Sequence, residues 1–110
     1  MFEQVIIEKC QGYAKVIMNR PEAKNAITPL LMIELIEAFG QLNQDDSIKA
    51  LFLLGSGKDF CAGMDLKYAL DNLQNSPERL LEDLIPLGSQ LDDLIEAMAK
   101  PVISVVQGNA

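Results

Sequence analysis

The chain has 110 residues, 49% of them apolar, with a formal net charge of −7 and no histidine. That length fits one small domain, 1–110, with a modest core, and the acidic balance argues against nucleic-acid binding, which needs a basic surface. Without histidine, neither a Ser-His or Cys-His nucleophile nor a histidine metal site can be built from this chain, so its chemistry rests on carboxylates, lysines or backbone dipoles and no metal is expected.

From the amino end, Met1-Phe-Glu-Gln-Val-Ile-Ile-Glu-Lys9 lacks the basic flank and cleavage pattern of a signal peptide. Val5-Ile-Ile7 and Ala14-Lys-Val-Ile-Met18 are β-rich runs around Gln11-Gly12 and predict an opening hairpin. Arg20-Pro21-Glu22-Ala23-Lys24-Asn25-Ala26 is a polar loop whose Arg20 and Lys24 suit contact with phosphates or simple solvation. Thr28-Pro29 predicts a helix start, with Thr28 as cap and Pro29 in the first turn. Leu31, Leu35, Ile36, Phe39 and Leu42 form an apolar stripe at helical spacing, ending near Asn43.

Lys49-Ala-Leu-Phe-Leu-Leu54 predicts a strand buried on both faces, as in a parallel sheet. Gly57-Lys58-Asp59-Phe60-Cys61-Ala62-Gly63-Met64-Asp65-Leu66 then reads as a small-residue turn feeding a short helix from Asp65 to about Leu73. Ser76-Pro77 opens a further helix, which Pro86 is expected to interrupt or kink. Lys100-Pro101 closes it before a strand at Val102-Ile-Ser-Val-Val106. The order β, β, α, β, α, α, β predicts an α/β fold with parallel pairing.

No apolar run approaches the roughly 20 residues that cross a bilayer. The two cysteines, Cys10 and Cys61, have no metal-type spacing and read as reduced thiols. A cytoplasmic protein with no membrane partner is the expectation. Glu78, Glu82, Asp83, Asp92, Asp93 and Glu96 fall on polar helix faces and read as solvated surface.

The turn at 61–65 has two readings from local physics. It is an ordinary strand–turn–helix connection capped by Asp65. Or it is a donor site: Ala62 and Gly63 let a ligand approach the backbone, and the N–H of Met64 at the helix mouth points to a carbonyl oxygen.

Three segments in register resemble the crotonase family, also called the enoyl-CoA hydratase/isomerase family. They are Asn19-Arg-Pro-Glu-Ala-Lys-Asn-Ala-Ile27, Phe60-Cys-Ala-Gly-Met-Asp-Leu66 and Lys100-Pro-Val-Ile-Ser-Val-Val-Gln-Gly-Asn-Ala110. The resemblance implies a spiral of ββα units that binds acyl-CoA thioesters, with coenzyme A entering as part of the substrate and no separate cofactor. It implies that two backbone N–H groups hold the enolate-like oxygen, Met64 supplying the first. Preorganised donors of this kind are worth about 3–4 kcal/mol each. Lys24 matches a basic position near the CoA phosphates, with Lys67 a weaker candidate. Ala62, Gly63, Asp65 and Leu66 complete the implied binding turn, Ala62 towards the adenine. The resemblance also implies fatty acid metabolism, lyase or isomerase chemistry and a homo-oligomer, trimer or hexamer.

In that family the strand matching 102–106 leads to a glycine-rich segment with the second donor, then to a helix with a catalytic carboxylate. Those positions lie beyond Ala110, so the expectation is an incomplete, N-terminal portion of a crotonase-like fold, inactive by itself. Asn109-Ala110 leans towards isomerase-like members. The alternative is a non-catalytic, truncated CoA-binding or assembly module of the same fold.

Overall fold

The computed structural model describes residues 2–61, 77–106 and 108. The hairpin forms as expected: β1 (Val5–Lys9) pairs antiparallel with β2 (Tyr13–Met18), in register from Val5 opposite Met18 to Lys9 opposite Ala14. Side chains alternate along β2, so Ala14, Val16 and Met18 point into the core while Tyr13, Lys15 and Ile17 take the other face.

Helix α1 (Pro29–Asn43) starts at the predicted cap, where the Thr28 hydroxyl accepts a hydrogen bond from the Leu31 N–H at 3.2 Å. Its stripe buries Leu31, Leu35, Phe39 and Leu42 and adds Ala38, while Ile36 is only half-buried. Each large side chain fully buried this way contributes about 1.5–3 kcal/mol relative to exposure. Glu34 lies on the same buried face, its Oε1 accepting from the Gln4 and Val5 N–H groups at 2.8 and 3.2 Å. It ties α1 to the start of β1. At the other end the Lys100 ammonium donates to the Leu42 and Asp45 carbonyls at 2.6 and 2.5 Å, satisfying the last turn of α1.

Strand β3 (Ala50–Gly55) lies parallel to β2, and β4 (Val102–Ser104) lies parallel to β3, giving the order β1-β2-β3-β4. Val105 extends the ladder by donating its N–H to the Leu53 carbonyl at 2.9 Å. Between β3 and β4, helix α2 (Pro77–Ala97) packs against α1. Leu91, Leu94 and Ile95 lie against the core cluster, and Met98 joins it.

Two expectations change. Pro86 does not interrupt α2, which is one continuous helix. Pro86 is exposed, so the Glu82 carbonyl that loses its intrahelical donor faces water instead. Strand β3 is also not buried on both faces. Leu51 is fully buried on the helix side, whereas Phe52 and Leu54 are only half-buried on the other. Among the described residues no element covers that outer face. Tyr13, Lys15, Ala50, Phe52, Leu54 and Val105 there line an open groove of about 490 Å³, with Tyr13 and Phe52 packed edge to face. The helix expected from Asp65 to about Leu73 lies outside the described residues. No described helix is long and apolar enough to cross a membrane.

Candidate functional site

Strands β2, β3 and β4 run parallel, so their carboxyl ends lie along one edge of the sheet. Ligands of open α/β sheets bind at that edge, where loops diverge and backbone groups are left free of the ladder. Here the edge is built from loop 19–26 after β2, turn 56–60 after β3 and Gly108 after β4.

The first loop folds tightly because Pro21 presets a short 3-10 turn, Pro21–Ala23. Lys24 and Asn25 then both take left-handed backbone conformations, with φ of 54° and 55°. Asparagine tolerates this region; lysine does so at a cost of about 1–2 kcal/mol. The reversal turns the Asn25 side chain inward, where it is completely buried. Its Oδ1 accepts from the Arg20 N–H at 2.8 Å, and its Nδ2 donates to the Ser56 and Asp59 carbonyls at 3.0 and 2.8 Å. One amide thus joins the loop after β2 to the turn after β3. Ser56 adds two links: its N–H donates to the Met18 carbonyl at 2.9 Å and its hydroxyl to Asn19 Oδ1 at 3.1 Å.

Glycine is required where these pieces meet. A Cβ on Gly55 would lie 2.3 Å from the Asp59 carbonyl oxygen, 2.4 Å from that of Phe60 and 2.6 Å from Asn25 Nδ2. Gly108 has φ of 61°, and a Cβ there would lie 2.4 Å from the Lys58 carbonyl oxygen. The chain after β4 therefore sits directly against the turn after β3. Loop 19–26, turn 56–60 and Gly108 thus meet at one edge.

Lys24 is exposed on this edge, its charge held in solvent by a backbone turned outward. Arg20 is half-buried on the same edge, and one of its guanidinium N–H groups donates to the Ala26 carbonyl of its own loop. Ala62, Gly63, Met64, Asp65, Leu66 and Lys67 lie outside the described residues. Cys61, immediately before them, is a free, half-buried thiol packed against the core, as a small filler would be. Glu82, Asp92, Asp93 and Glu96 are exposed on α2, as expected of solvated surface. Among the described residues no group of acidic or thiol side chains is placed to hold a metal ion.

Two groups with displaced titration lie at the opposite end of the sheet. Hydrogen bonds from Ser47 and then from Lys9, whose ammonium is 3.1 Å away, pull the Asp45 carboxyl down to about 2. A hydrogen bond with Cys10 pushes the Tyr13 hydroxyl up.

Asn25 is the residue that sequence reasoning passed over. Its one local signal was an asparagine following Pro-Glu-Ala-Lys, a type and place suited to a left-handed turn. That it reaches a turn some thirty positions away, with |i−j| of 31 and 34, is not visible locally.

Compared with known proteins, residues 8–110 match the family model described as enoyl-CoA hydratase/isomerase. The chain belongs to the enoyl-CoA hydratase/isomerase family. It is 36% identical over 110 residues to a crotonyl-CoA hydratase of Syntrophomonas wolfei, covering 99% of this chain and 41% of that relative. It is 39% identical over 108 residues to a hydroxycinnamoyl-CoA hydratase-lyase of Pseudomonas fluorescens, covering 97% of this chain and 39% of that one. Among solved structures it resembles an enoyl-CoA hydratase from Mycobacterium smegmatis, with a TM-score of 0.82 and 33% identity over 94% of this chain and 40% of that one. The chain therefore spans about two fifths of the length of these family members. Its fold is an incomplete, N-terminal portion of the α/β crotonase architecture.

Proposed function

We propose that the protein acts on acyl-CoA thioesters and that the reaction is hydration of an enoyl-CoA. The observation that carries this reading is the convergence of loop 19–26, turn 56–60 and Gly108 at the carboxyl edge of the parallel strands. The two curated relatives described above are named as hydratases of CoA thioesters, which supports hydration over double-bond migration.

In this mechanism the thioester carbonyl is polarised by backbone N–H groups. Met64, close in sequence to the turn that Asn25 holds, supplies the first donor. Water adds at the β-carbon, the electron pair of the double bond moves onto the carbonyl oxygen, and a proton returns to the α-carbon. Donors fixed beforehand stabilise the developing enolate without reorganising as charge forms. Ala62, Gly63, Asp65 and Leu66 shape the binding turn, and Lys24 and Lys67 attract the CoA phosphates as point charges. A homo-oligomer, trimer or hexamer, completes the proposed assembly.

The test is turnover of crotonyl-CoA by the intact gene product, with a 3-enoyl-CoA offered in parallel to separate hydration from isomerisation. Gly63→Leu should weaken binding of a non-reactive acyl-CoA analogue by about tenfold or more, the scale of a single well-placed interaction. Unchanged affinity would remove the 61–66 turn from the site.

A further inference from the structure

We propose that Asn25 is a positioning residue that fixes the exit of β3, and through it the affinity of the carboxyl edge for acyl-CoA. The affinity part rests on the function proposed above; the geometric part does not.

Asn25 holds three main-chain groups at once. Its side chain is fully buried, and among the described residues its side-chain hydrogen bonds go to three main-chain atoms. Two of these are the Ser56 and Asp59 carbonyls, on either side of the turn that follows β3. Holding both oxygens on one NH₂ group sets the direction in which the chain leaves the strand. Crowding makes the setting tight: Gly55 comes so close to Asn25 Nδ2 and to the Asp59 and Phe60 carbonyls that even a methyl group has no room. Gly108 leans on the same turn from β4, so the turn is located from both neighbouring strands.

Chemistry also selects asparagine here. The position needs an acceptor for the Arg20 N–H and two donors for the two carbonyls, and only a carboxamide offers both. Aspartate would keep the acceptor but set its second oxygen against two carbonyl oxygens. The left-handed backbone, with φ of 55°, adds that asparagine and glycine are the residues best suited to it.

Two substitutions separate positioning from simple stability. Asn25→Gly keeps the left-handed backbone and removes the bridge, whereas Asn25→Asp keeps the shape and reverses the donors. Both are made in the intact gene product and followed by amide hydrogen exchange and by affinity for a non-reactive acyl-CoA analogue. Exchange at residues 56–61 should quicken by about tenfold or more, with β2 and β3 amides little changed. Affinity should fall by a comparable factor, with Asn25→Asp at least as damaging as Asn25→Gly.

Unchanged exchange at 56–61 would overturn the proposal. So would exchange that rises equally through β2 and β3, which marks a stability role only. So would locally faster exchange with full affinity for the analogue. If the unsubstituted protein binds no acyl-CoA analogue, the proposed function fails, and the exchange pattern still decides whether Asn25 fixes the turn.

Discussion

Replacing Gly55 with alanine tests the packing at the carboxyl edge by the sign of its effect. In open space a Gly→Ala change stabilises by about 0.4–1 kcal/mol, because alanine loses less backbone freedom on folding. Here the new methyl group would lie 2.3 and 2.4 Å from two carbonyl oxygens and 2.6 Å from Asn25 Nδ2. If the turn holds, overpacking costs about 1–3 kcal/mol. If it yields, Asn25 loses its bonds to Ser56 and Asp59, leaving buried polar groups unpaired at about 1–3 kcal/mol each. Net of the alanine gain, the first route costs up to about 2.5 kcal/mol and the second about 1–5 kcal/mol, a large share of the 5–15 kcal/mol typical of a domain. Urea unfolding measures it: for a slope of about 1.5 kcal/mol per M, a 3 kcal/mol loss lowers the midpoint by about 2 M. Gly40 in α1 is the matched control, since a Cβ there meets nothing within 4 Å, and Gly40→Ala should raise stability by about 1 kcal/mol. A midpoint for Gly55→Ala that is unchanged or raised would refute the close approach of Asn25 and the turn to β3.

Lys24→Gly should raise stability by about 0.5–1 kcal/mol, since glycine accepts the left-handed backbone that lysine resists. The same change should weaken acyl-CoA binding by about two- to fivefold, the weight of one exposed ion pair; a stability loss in thermal unfolding would contradict the backbone assignment. Thr28→Ala should cost about 1 kcal/mol in urea unfolding, because the cap on Leu31 and the bond to Gln4 both go. Asp45 predicts an acid limb. Its carboxyl is held near 2 in the folded chain against an ordinary 3.8, so below about 4 the unfolded chain takes up the proton first. The stabilisation is complete above about 4 and is lost as pH falls through about 2. Asp45→Asn should flatten that part of the stability–pH profile, and a wild-type profile with the same slope as the variant would rule out the Ser47 and Lys9 contacts.

Local pattern was enough for the elements. The hairpin, the Thr28 cap, the end of α1 at Asn43 and the start of α2 at Pro77 all follow from alternation, helical spacing and capping chemistry. The three motif segments also named the family that the comparison then established. Burial was only partly legible. An apolar run such as that of β3 states what its residues prefer, not whether a neighbour arrives, so its outer face proved half-exposed. Pro86 does not interrupt α2 for a related reason: Glu82 and Pro86 are both exposed, and a carbonyl there loses little where water replaces its donor.

The sequence by itself determined the elements, their order and the family, because these depend on short-range periodicity and on motifs contiguous in the chain. Only tertiary structure decided that Asn25 faces inward, that Arg20 donates to the Ala26 carbonyl, and that Gly55 and Gly108 close on one turn. Those facts come from hydrogen bonds and close approaches between strand ends far apart in sequence. The parallel sheet brings those ends to one edge, and no local pattern records which of them will meet.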